Sequence, residues 1–316
     1  MTQISKDLLS PAGENQSSVR VAVVQMTPAF MDNNATLHSM EVVLTKLKDQ
    51  GCQLALFPES LLPGYPRGFT FGTTVGNRTS GGRDLWHRFH QVSIKEGDHV
   101  CAALADLARR FGLYLIIGVT EKDSINSSLY CSMFYFNPEG LLVGKHRKIK
   151  PTAAERLIWA EGDGTSIRSI TTPIGRLGGL ICWENYMPQA RVRLYQSGLD
   201  IYLAPTADAR PSWLSSMQHI ACESRSYVLS SNQFFQKDDY SEEFQRLLED
   251  KSTATLCRGG SCIVSPYGEL LAGPIYDREG YSLAEIDLGE VVKSRMDFDP
   301  IGHYTRNDLF PVSNNQ

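Results

Sequence analysis

The chain has 316 residues, of which 42% are hydrophobic and 21% are charged, and its formal net charge is −4. These values are typical of a globular protein with a substantial core. They exclude the dense basic surface that non-specific nucleic-acid binding requires, so no nucleic-acid partner is expected. No apolar run reaches the length of a membrane-spanning helix, so no membrane partner is expected either.

Cysteine usage indicates the cellular compartment. The seven cysteines are an odd number, and none forms a CxxC pair. This pattern argues against a disulfide framework and a structural zinc site, and it predicts a cytoplasmic protein without a bound metal. Residues 1–18 are polar and lack the apolar segment of a signal peptide, which predicts a flexible N-terminal arm.

Strand-like runs alternate with helical patterns in the first half of the chain. The β-branched run Val19–Met26 predicts a buried strand, and Asn34–Gln50 has apolar residues at helical spacing. A second strand, Cys52–Pro58, ends directly before Glu59. Residues 60–97 are rich in Gly, Thr and Tyr and predict a long irregular loop. The elements predicted next are a helix from Asp98 to Phe111 and strands over Leu113–Thr120, Leu129–Phe136 and Leu141–Lys148.

The alternation continues in the second half. Polar, acidic residues at 236–258 predict a surface excursion, and 289–316 follow the last strand as a C-terminal extension. No shift in composition marks a boundary, so 19–288 are predicted to form one α/β domain. The predicted elements are strands over Arg176–Cys182, Asp200–Thr206, Val228–Phe235 and Gly259–Pro266, helices over Pro188–Ser197 and Ser212–Tyr227, and a hairpin over Leu270–Leu288.

Three chemically competent residues each end a predicted strand: Glu59, Lys148 and Cys182. Ligands of open α/β sheets bind just beyond the C-terminal ends of strands, so neighbouring strands would bring these side chains together. Cys182 fits either a buried core thiol or a nucleophile. Its place before a helix favours the nucleophile, because a helix N-terminus lowers a thiol pKa and offers free amide groups.

Glu59 and Lys148 each have a second interpretation. Glu59 fits either a solvated loop acid or a general base whose pKa is raised by partial burial. Lys148 belongs to the basic run KHRKIK, which fits a solvated strand edge or a cation that points into a pocket. Strand alternation does not choose the cation, because 146, 148 and 150 share one face. A competing Cys–His hydrolase pair is open to His146, His219 or His303, whereas the absence of HExxH disfavours a metal hydrolase.

Several motifs resemble a known family. The segments FPES, HRKIKPTAAER and GGLICWEN are similar, in this order, to the three signature segments of the nitrilase (carbon–nitrogen hydrolase) superfamily. The similarity extends over residues 19–310 through LLPGYPRG, APTADAR and MDFDPIGHYTRNDLF. The forms CWEN and IWAEGDG resemble the true nitrilase branch more than the amidase or carbamoylase branches.

The resemblance implies an αββα sandwich and a Glu59–Lys148–Cys182 triad. Glu155 matches a second glutamate of family sites, although it also fits an acid that stabilises the start of a helix. Glu59 would take the thiol proton, and Cys182 would attack a nitrile carbon. Lys148 and an amide near Trp183 would stabilise the negative nitrogen, and no cofactor would be needed.

The implied reaction converts an organic nitrile into a carboxylic acid and ammonia. Four residues that flank the motifs are predicted to contact this small-molecule substrate: Tyr65, Trp159, Trp183 and Thr206. The sequence does not separate aliphatic, aryl, arylacetonitrile and cyanoamino-acid substrates. The alternatives are an amidase of the same fold, a nitrilase that releases much amide, and an inactive scaffold, which the complete triad argues against.

The family also implies quaternary structure. Nitrilases are typically homodimers that build larger homo-oligomers, spirals or filaments. Residues 236–258 and the extension at 289–316 are predicted to supply subunit contacts, although an acidic insertion also fits a solvated loop.

Overall fold

The computed structural model of the chain describes residues 18–248, 254–306 and 308–310. The predicted N-terminal arm therefore lies outside the described residues except for Ser18, and so does the end of the C-terminal extension. In the described part of the chain, no helix combines the length and apolar character needed to cross a membrane.

Short strands and helices alternate along the chain. The strands in chain order are β1 Ser18–Gln25, β2 Leu54–Leu56, β3 Thr73–Thr74, β4 Asn77–Arg78, β5 Tyr114–Lys122, β6 Leu129–Phe136, β7 Leu142–Arg147, β8 Ile170–Thr172, β9 Gly175–Gly179, β10 Ile201–Thr206, β11 Tyr227–Asn232, β12 Phe234–Gln236, β13 Thr255–Val264, β14 Leu270–Tyr276 and β15 Gly280–Asp287. The helices are α1 Asn33–Asp49, α2 Ser80–Val92, α3 His99–Phe111, α4 Pro188–Gln196, α5 Ser212–Ser224, α6 Glu242–Leu247 and α7 Leu288–Asp297.

The strands form two large mixed sheets. The first has six strands in the order β15-β1-β2-β5-β6-β7, and the second has seven, in the order β12-β13-β11-β10-β9-β8 with β14 on β13. The central strands β1, β2 and β5 are parallel, as are β9, β10 and β11. The C-terminal ends of these strands therefore meet along common edges, which is where ligands bind in such sheets.

Alternation along the strands separates three apolar layers. In β1, Val21 and Val23 face the second sheet, whereas Ala22 and Val24 face α1 and α3. The other side of the second sheet packs against α4 and α5 through a third cluster that includes Leu194, Trp213 and Met217. The layers are therefore helix, sheet, sheet and helix, and the predicted αββα sandwich in a single domain is confirmed.

The predicted loop at 60–97 was wrong in part, because α2 lies within it. Thr79 begins this helix by accepting a hydrogen bond from the amide of Gly82 at 3.0 Å. Leu85 and Phe89 are buried and pack into the cluster that contains Phe30, Phe69 and Phe71. This helix was not predicted, because two glycines lie in its first turn and most of its other residues are polar. Tertiary packing stabilises it.

Two predictions for the C-terminal part also need correction. Residues 236–258 contain α6, and Tyr240, Phe244 and Leu248 are buried in the core, so this segment is more than a surface excursion. The predicted hairpin at Leu270–Leu288 was wrong, because β14 pairs with β13 whereas β15 pairs antiparallel with β1. The connection between them joins the two sheets.

Candidate active site

Glu59 lies three residues beyond the C-terminal end of β2 and is fully buried. The chain passes so close to β5 here that a Cβ on Gly118 would lie 2.5 Å from the Cα of Glu59. Only glycine fits at 118 without a shift of one of these backbones. Gln233 donates to the carbonyl oxygen of Glu59 at 2.8 Å, which fixes the backbone from the second sheet.

Lys148 directly follows β7 and is also fully buried. Its amide donates to the carbonyl oxygen of Cys131 on β6 at 2.8 Å. Its Nζ lies 2.7 Å from Glu59 Oε1 and 2.7 Å from Glu155 Oε2. The structure thus brings together three of the predicted residues, and Lys148 is the bridging cation.

Cys182 begins a 3₁₀ turn, Cys182–Tyr186, just after β9. Its φ of 52° lies in the left-handed region, which non-glycine residues rarely occupy outside constrained sites. Asn185 holds the turn by donating to the carbonyl oxygens of Cys182 at 2.7 Å and Leu180 at 2.9 Å. Thr206, at the end of β10, donates to the Cys182 sulfur at 3.2 Å.

Glu184 ties the cysteine turn to the lysine segment. One carboxylate oxygen accepts from the amide of Ile181 at 2.7 Å, and the other accepts from the amide of Ile149 at 2.6 Å. His146 contacts the same carboxylate through Nε2 at 3.0 Å and Ser166 through Nδ1 at 2.9 Å. Glu184 therefore braces the backbones on both sides of the cluster.

These contacts also bear on the Cys–His alternative. Both ring nitrogens of His146 already have polar partners, Glu184 and Ser166. His219 and His303 are exposed on the surface. The structure therefore aims none of the three candidate histidines at Cys182 as a free base.

The electrostatics of the acid cluster differ between its members. Burial raises the pKa of Glu59, with Lys148 opposing the shift and Glu155 adding to it. Burial lowers the pKa of Lys148, but the surrounding acids and thiols outweigh it and raise that pKa overall. Lys148 therefore stays protonated. Glu59 Oε2 is buried and has no hydrogen-bond partner among the described residues.

Cys182 departs from one sequence-based expectation. Burial and the adjacent Glu59 carboxylate raise the pKa of its thiol, whereas the turn before a helix was expected to lower it. Desolvation and neighbouring negative charge outweigh the terminal dipole, because both disfavour a thiolate. Cys182 is thus a thiol at rest and requires a base to become nucleophilic.

A cavity of about 740 Å³ opens over Cys182. Three other predicted residues line it: Tyr65, Glu155 and Trp183. The Tyr65 hydroxyl donates to Glu155 Oε1 at 2.7 Å, so its ring and the carboxylate form one wall. The indole nitrogen of Trp183 donates to Asp208 at 2.9 Å, which fixes that ring at the rim.

Trp159 and Thr206 lie behind the cavity surface. Trp159 packs edge-on against Tyr65, with ring centroids 5.5 Å apart, and its indole nitrogen donates to Thr120 at 3.2 Å. Thr206 is fully buried against the Cys182 sulfur. In this structure, these two side chains support residues that face the cavity.

Sequence reasoning missed several residues of the site. Arg67 lines the cavity, and its Nε is buried without a partner in the described part of the chain. Arg210 also lines it, stacks over Trp183 at 4.5 Å and pairs with Asp208. The motifs GYPRG and APTADAR contain these residues, but nothing in their spacing distinguished them. Cys131, 3.4 Å from Glu59 Oε1, resembled an ordinary core cysteine.

The site holds carboxylates, an ammonium group and a thiol. Across 18–248, 254–306 and 308–310, no group of three His, Cys, Asp or Glu side chains is arranged to hold a metal ion. The chemistry that these groups offer is proton transfer, nucleophilic attack by sulfur and stabilisation of negative charge by Lys148.

The chain belongs to the carbon-nitrogen hydrolase family, whose sequence model matches residues 20–296. Among its relatives, the bifunctional nitrilase/nitrile hydratase NIT4B of Nicotiana tabacum is 43% identical over 95% of this chain and 87% of that protein. Nitrilase 1 of Arabidopsis thaliana is 42% identical over 95% of this chain and 88% of that protein.

Solved structures share the fold at low sequence identity. A carbon-nitrogen hydrolase from Helicobacter pylori G27 superposes with a TM-score of 0.74 at 22% identity, covering 95% of this chain and all of that one. The NitFhit protein of C. elegans gives a TM-score of 0.72 at 19% identity, covering 93% of this chain and 66% of that one. These similarities concern the fold alone.

Proposed function

We propose that this protein is a nitrilase that hydrolyses an organic nitrile to the carboxylic acid and ammonia. The observation that carries the proposal is the buried Glu59–Lys148–Glu155 cluster beside Cys182, because Cys182 and Glu155 also line the cavity. Relatives at 42–43% identity that are named nitrilases support nitriles as substrates. An amidase activity is not favoured, because these relatives carry nitrilase names, whereas the amidase structures share the fold alone.

The reaction starts with a proton transfer. The unpartnered oxygen of Glu59 accepts the thiol proton while the Cys182 sulfur forms a bond to the nitrile carbon. Glu59 then returns this proton to the nitrile nitrogen, which yields a thioimidate. Because Lys148 and the amide of Trp183 donate to that nitrogen, they stabilise the charge that develops on it.

Two waters complete the reaction. The first adds to the thioimidate carbon, with Glu59 again as the base, and loss of ammonia leaves a thioester. The second cleaves the carbon–sulfur bond, releases the acid and returns the proton to sulfur. If the tetrahedral intermediate expels the thiol instead of ammonia, the product is an amide.

Tyr65 and Trp183 are the proposed substrate contacts on the cavity wall, whereas Trp159 and Thr206 act through Tyr65 and Cys182. Glu155 is the proposed fourth member of the catalytic group. It accepts from Lys148, from Tyr65 and from the Thr152 amide at 2.7 Å each. Such a saturated carboxylate orients Lys148 and is poorly placed to take a proton.

A nitrile panel tests the proposal. Purified enzyme is incubated with aliphatic, aryl, arylacetonitrile and cyanoamino-acid nitriles and with the matching amides. Ammonia, acid and amide are then quantified. Nitrilase activity predicts stoichiometric ammonia and acid from at least one nitrile. Turnover of amides with every nitrile inert would overturn the proposal, and the ratio of acid to amide measures how the intermediate partitions.

We further propose a cytoplasmic homodimer that assembles into a larger homo-oligomer or spiral. The domain at 19–288 would form the core, and the extension at 289–316 would supply contacts. Val292 and Met296 on α7, with Tyr304 beyond it, are large, apolar and exposed, as residues at subunit interfaces are before assembly. Light scattering that finds a monomer at micromolar concentration would contradict this assembly.

A further inference from the structure

A second cysteine lies against the acid cluster. Cys131, on β6, is fully buried, and its sulfur is 3.4 Å from Glu59 Oε1. Its carbonyl oxygen accepts the amide of Lys148 at 2.8 Å. One residue thus contacts both the acid through its side chain and the lysine through its backbone. The reaction steps above do not use this thiol.

The contact makes the two oxygens of Glu59 unequal. Oε1 accepts from Lys148 Nζ at 2.7 Å and from the Cys131 thiol, whereas Oε2 has no partner among the described residues. An ionised carboxylate is only an acceptor, so the thiol is the donor in this contact. Two donors on one oxygen oppose rotation of the carboxylate, and they leave Oε2 as its open acceptor.

The Cys131 thiol also has the properties of a permanent donor. Burial and the neighbouring Glu59 carboxylate raise its pKa far above its usual range, so it remains protonated. It does not line the cavity, and so it does not offer sulfur to a substrate there. Because a nucleophile needs both ionisation and access to the cavity, Cys131 is not placed to act as a second nucleophile.

We propose that Cys131 is a positioning residue that occupies Glu59 Oε1 and thereby directs Oε2 to the Cys182 proton. The inference rests on the proposed function, in which Glu59 is the base. It identifies a residue outside the predicted triad and gives a physical reason for the orphaned oxygen. A buried acceptor without a partner is costly in a protein interior, and a proton in transit would satisfy it.

Three variants separate hydrogen bonding from packing. Cys131→Val removes the donor and adds about one methyl group, whereas Cys131→Ser keeps a donor. The matched control is Cys262→Val, because Cys262 is equally buried but lies in the apolar cluster behind the second sheet. We expect kcat/KM to fall about tenfold in Cys131→Val, as for loss of a hydrogen bond to a charged group. Cys131→Ser should stay within about threefold of the parent, and so should Cys262→Val.

The pH profile is the readout that packing alone would not move. The thiol hydrogen bond lowers the pKa of Glu59, so its removal raises that pKa. The acid limb of kcat/KM should move to higher pH in Cys131→Val and stay in place in Cys131→Ser. If Cys131→Val does not fold, Cys131→Ala removes the donor with less steric demand.

Alkylation distinguishes failure of this inference from failure of the proposed function. Modification of Cys182 by iodoacetamide, followed across pH by peptide mass spectrometry, needs no nitrile turnover. A profile that shifts in Cys131→Val but not in Cys131→Ser supports the positioning role even if every nitrile is inert. Equal rates and unshifted profiles in both variants would overturn it, even if nitriles are hydrolysed.

Discussion

Two buried glutamates flank the basic run Lys145–Lys148, and the structure pairs them differently. Lys145 and Arg147, on β7, pair with Glu121, whereas Lys148, directly after this strand, pairs with Glu59. Each oxygen of Glu121 accepts two hydrogen bonds, from Lys145, Arg147 and Ser132. Only one oxygen of Glu59 accepts any among the described residues.

This difference in hydrogen bonding reverses the sign of the pKa shift. The cationic and hydroxyl groups that donate to Glu121 lower its pKa despite burial, whereas burial raises the pKa of Glu59 despite Lys148. Burial is therefore common to both residues and does not distinguish the proposed base from a structural carboxylate. A carboxylate with an open, desolvated oxygen is suited to proton transfer, whereas a saturated carboxylate is suited to holding strands together.

The largest expected effect distinguishes these roles by activity. Glu59→Gln keeps the shape of the side chain but removes the base, and kcat should fall by about 10³-fold, within the usual range for general-base catalysis. Glu121→Gln should retain kcat within about threefold, because Glu121 makes no contact with the cluster. Steady-state kinetics on the best nitrile of the panel measures both. Equal losses in the two variants would break the distinction.

The next-largest effect concerns stability, and here Glu121→Gln should cost more than Glu59→Gln. Glu121→Gln removes charge-assisted hydrogen bonds and should lower the free energy of unfolding at pH 7 by about 2 kcal/mol. Glu59→Gln should lower it by less than Glu121→Gln does, because burial already disfavours the ionised Glu59 carboxylate and Lys148 keeps Glu155 as a charged partner. Urea unfolding followed by circular dichroism measures both. A larger loss in Glu59→Gln would contradict the inference that burial disfavours the ionised Glu59 carboxylate.

The smallest effect is the pH dependence of these stability differences. Because the folded-state pKa of Glu121 lies below its ordinary value of 4.5, its contribution is complete above that pH and is lost as pH falls through the folded value. Glu59 has a raised pKa, so its contribution is complete below 4.5 and is lost as pH rises through its folded value. The destabilisation by Glu121→Gln should therefore shrink in acid, whereas that by Glu59→Gln should shrink as pH rises. If the unfolding midpoints of both variants and of the parent change with pH in parallel, neither glutamate has a pKa that folding shifts.

Much of the fold follows from local patterns. The helix predicted from Asp98 to Phe111 spans His99–Phe111, with Asp98 as its cap, and it ends where Gly112 adopts the left-handed conformation. Strand β6 matches its predicted range, Leu129–Phe136. By contrast, α2 and the pairing of β14 and β15 depend on contacts distant in sequence, which local periodicity does not contain.

The site divides in the same way. Alternation placed His146 and Lys148 on one face, and the structure buries both. Alternation alone does not show that His146 contacts Glu184 whereas Lys148 bridges Glu59 and Glu155. Family motifs pointed to Lys148 and Glu155. Cys131 and Arg67 gave no signal in the sequence, because a thiol in an apolar strand and an arginine in a loop are ordinary until their neighbours are known.

The central claim is that Cys182 carries the covalent intermediate. The most direct test is to mix enzyme with a nitrile substrate, quench with acid within a turnover and locate any adduct by peptide mass spectrometry. The account predicts an acyl or imidoyl adduct on the peptide that contains Cys182, and a folded but inactive Cys182→Ala variant without one. An adduct on another residue, or nitrile turnover by Cys182→Ala, would contradict it.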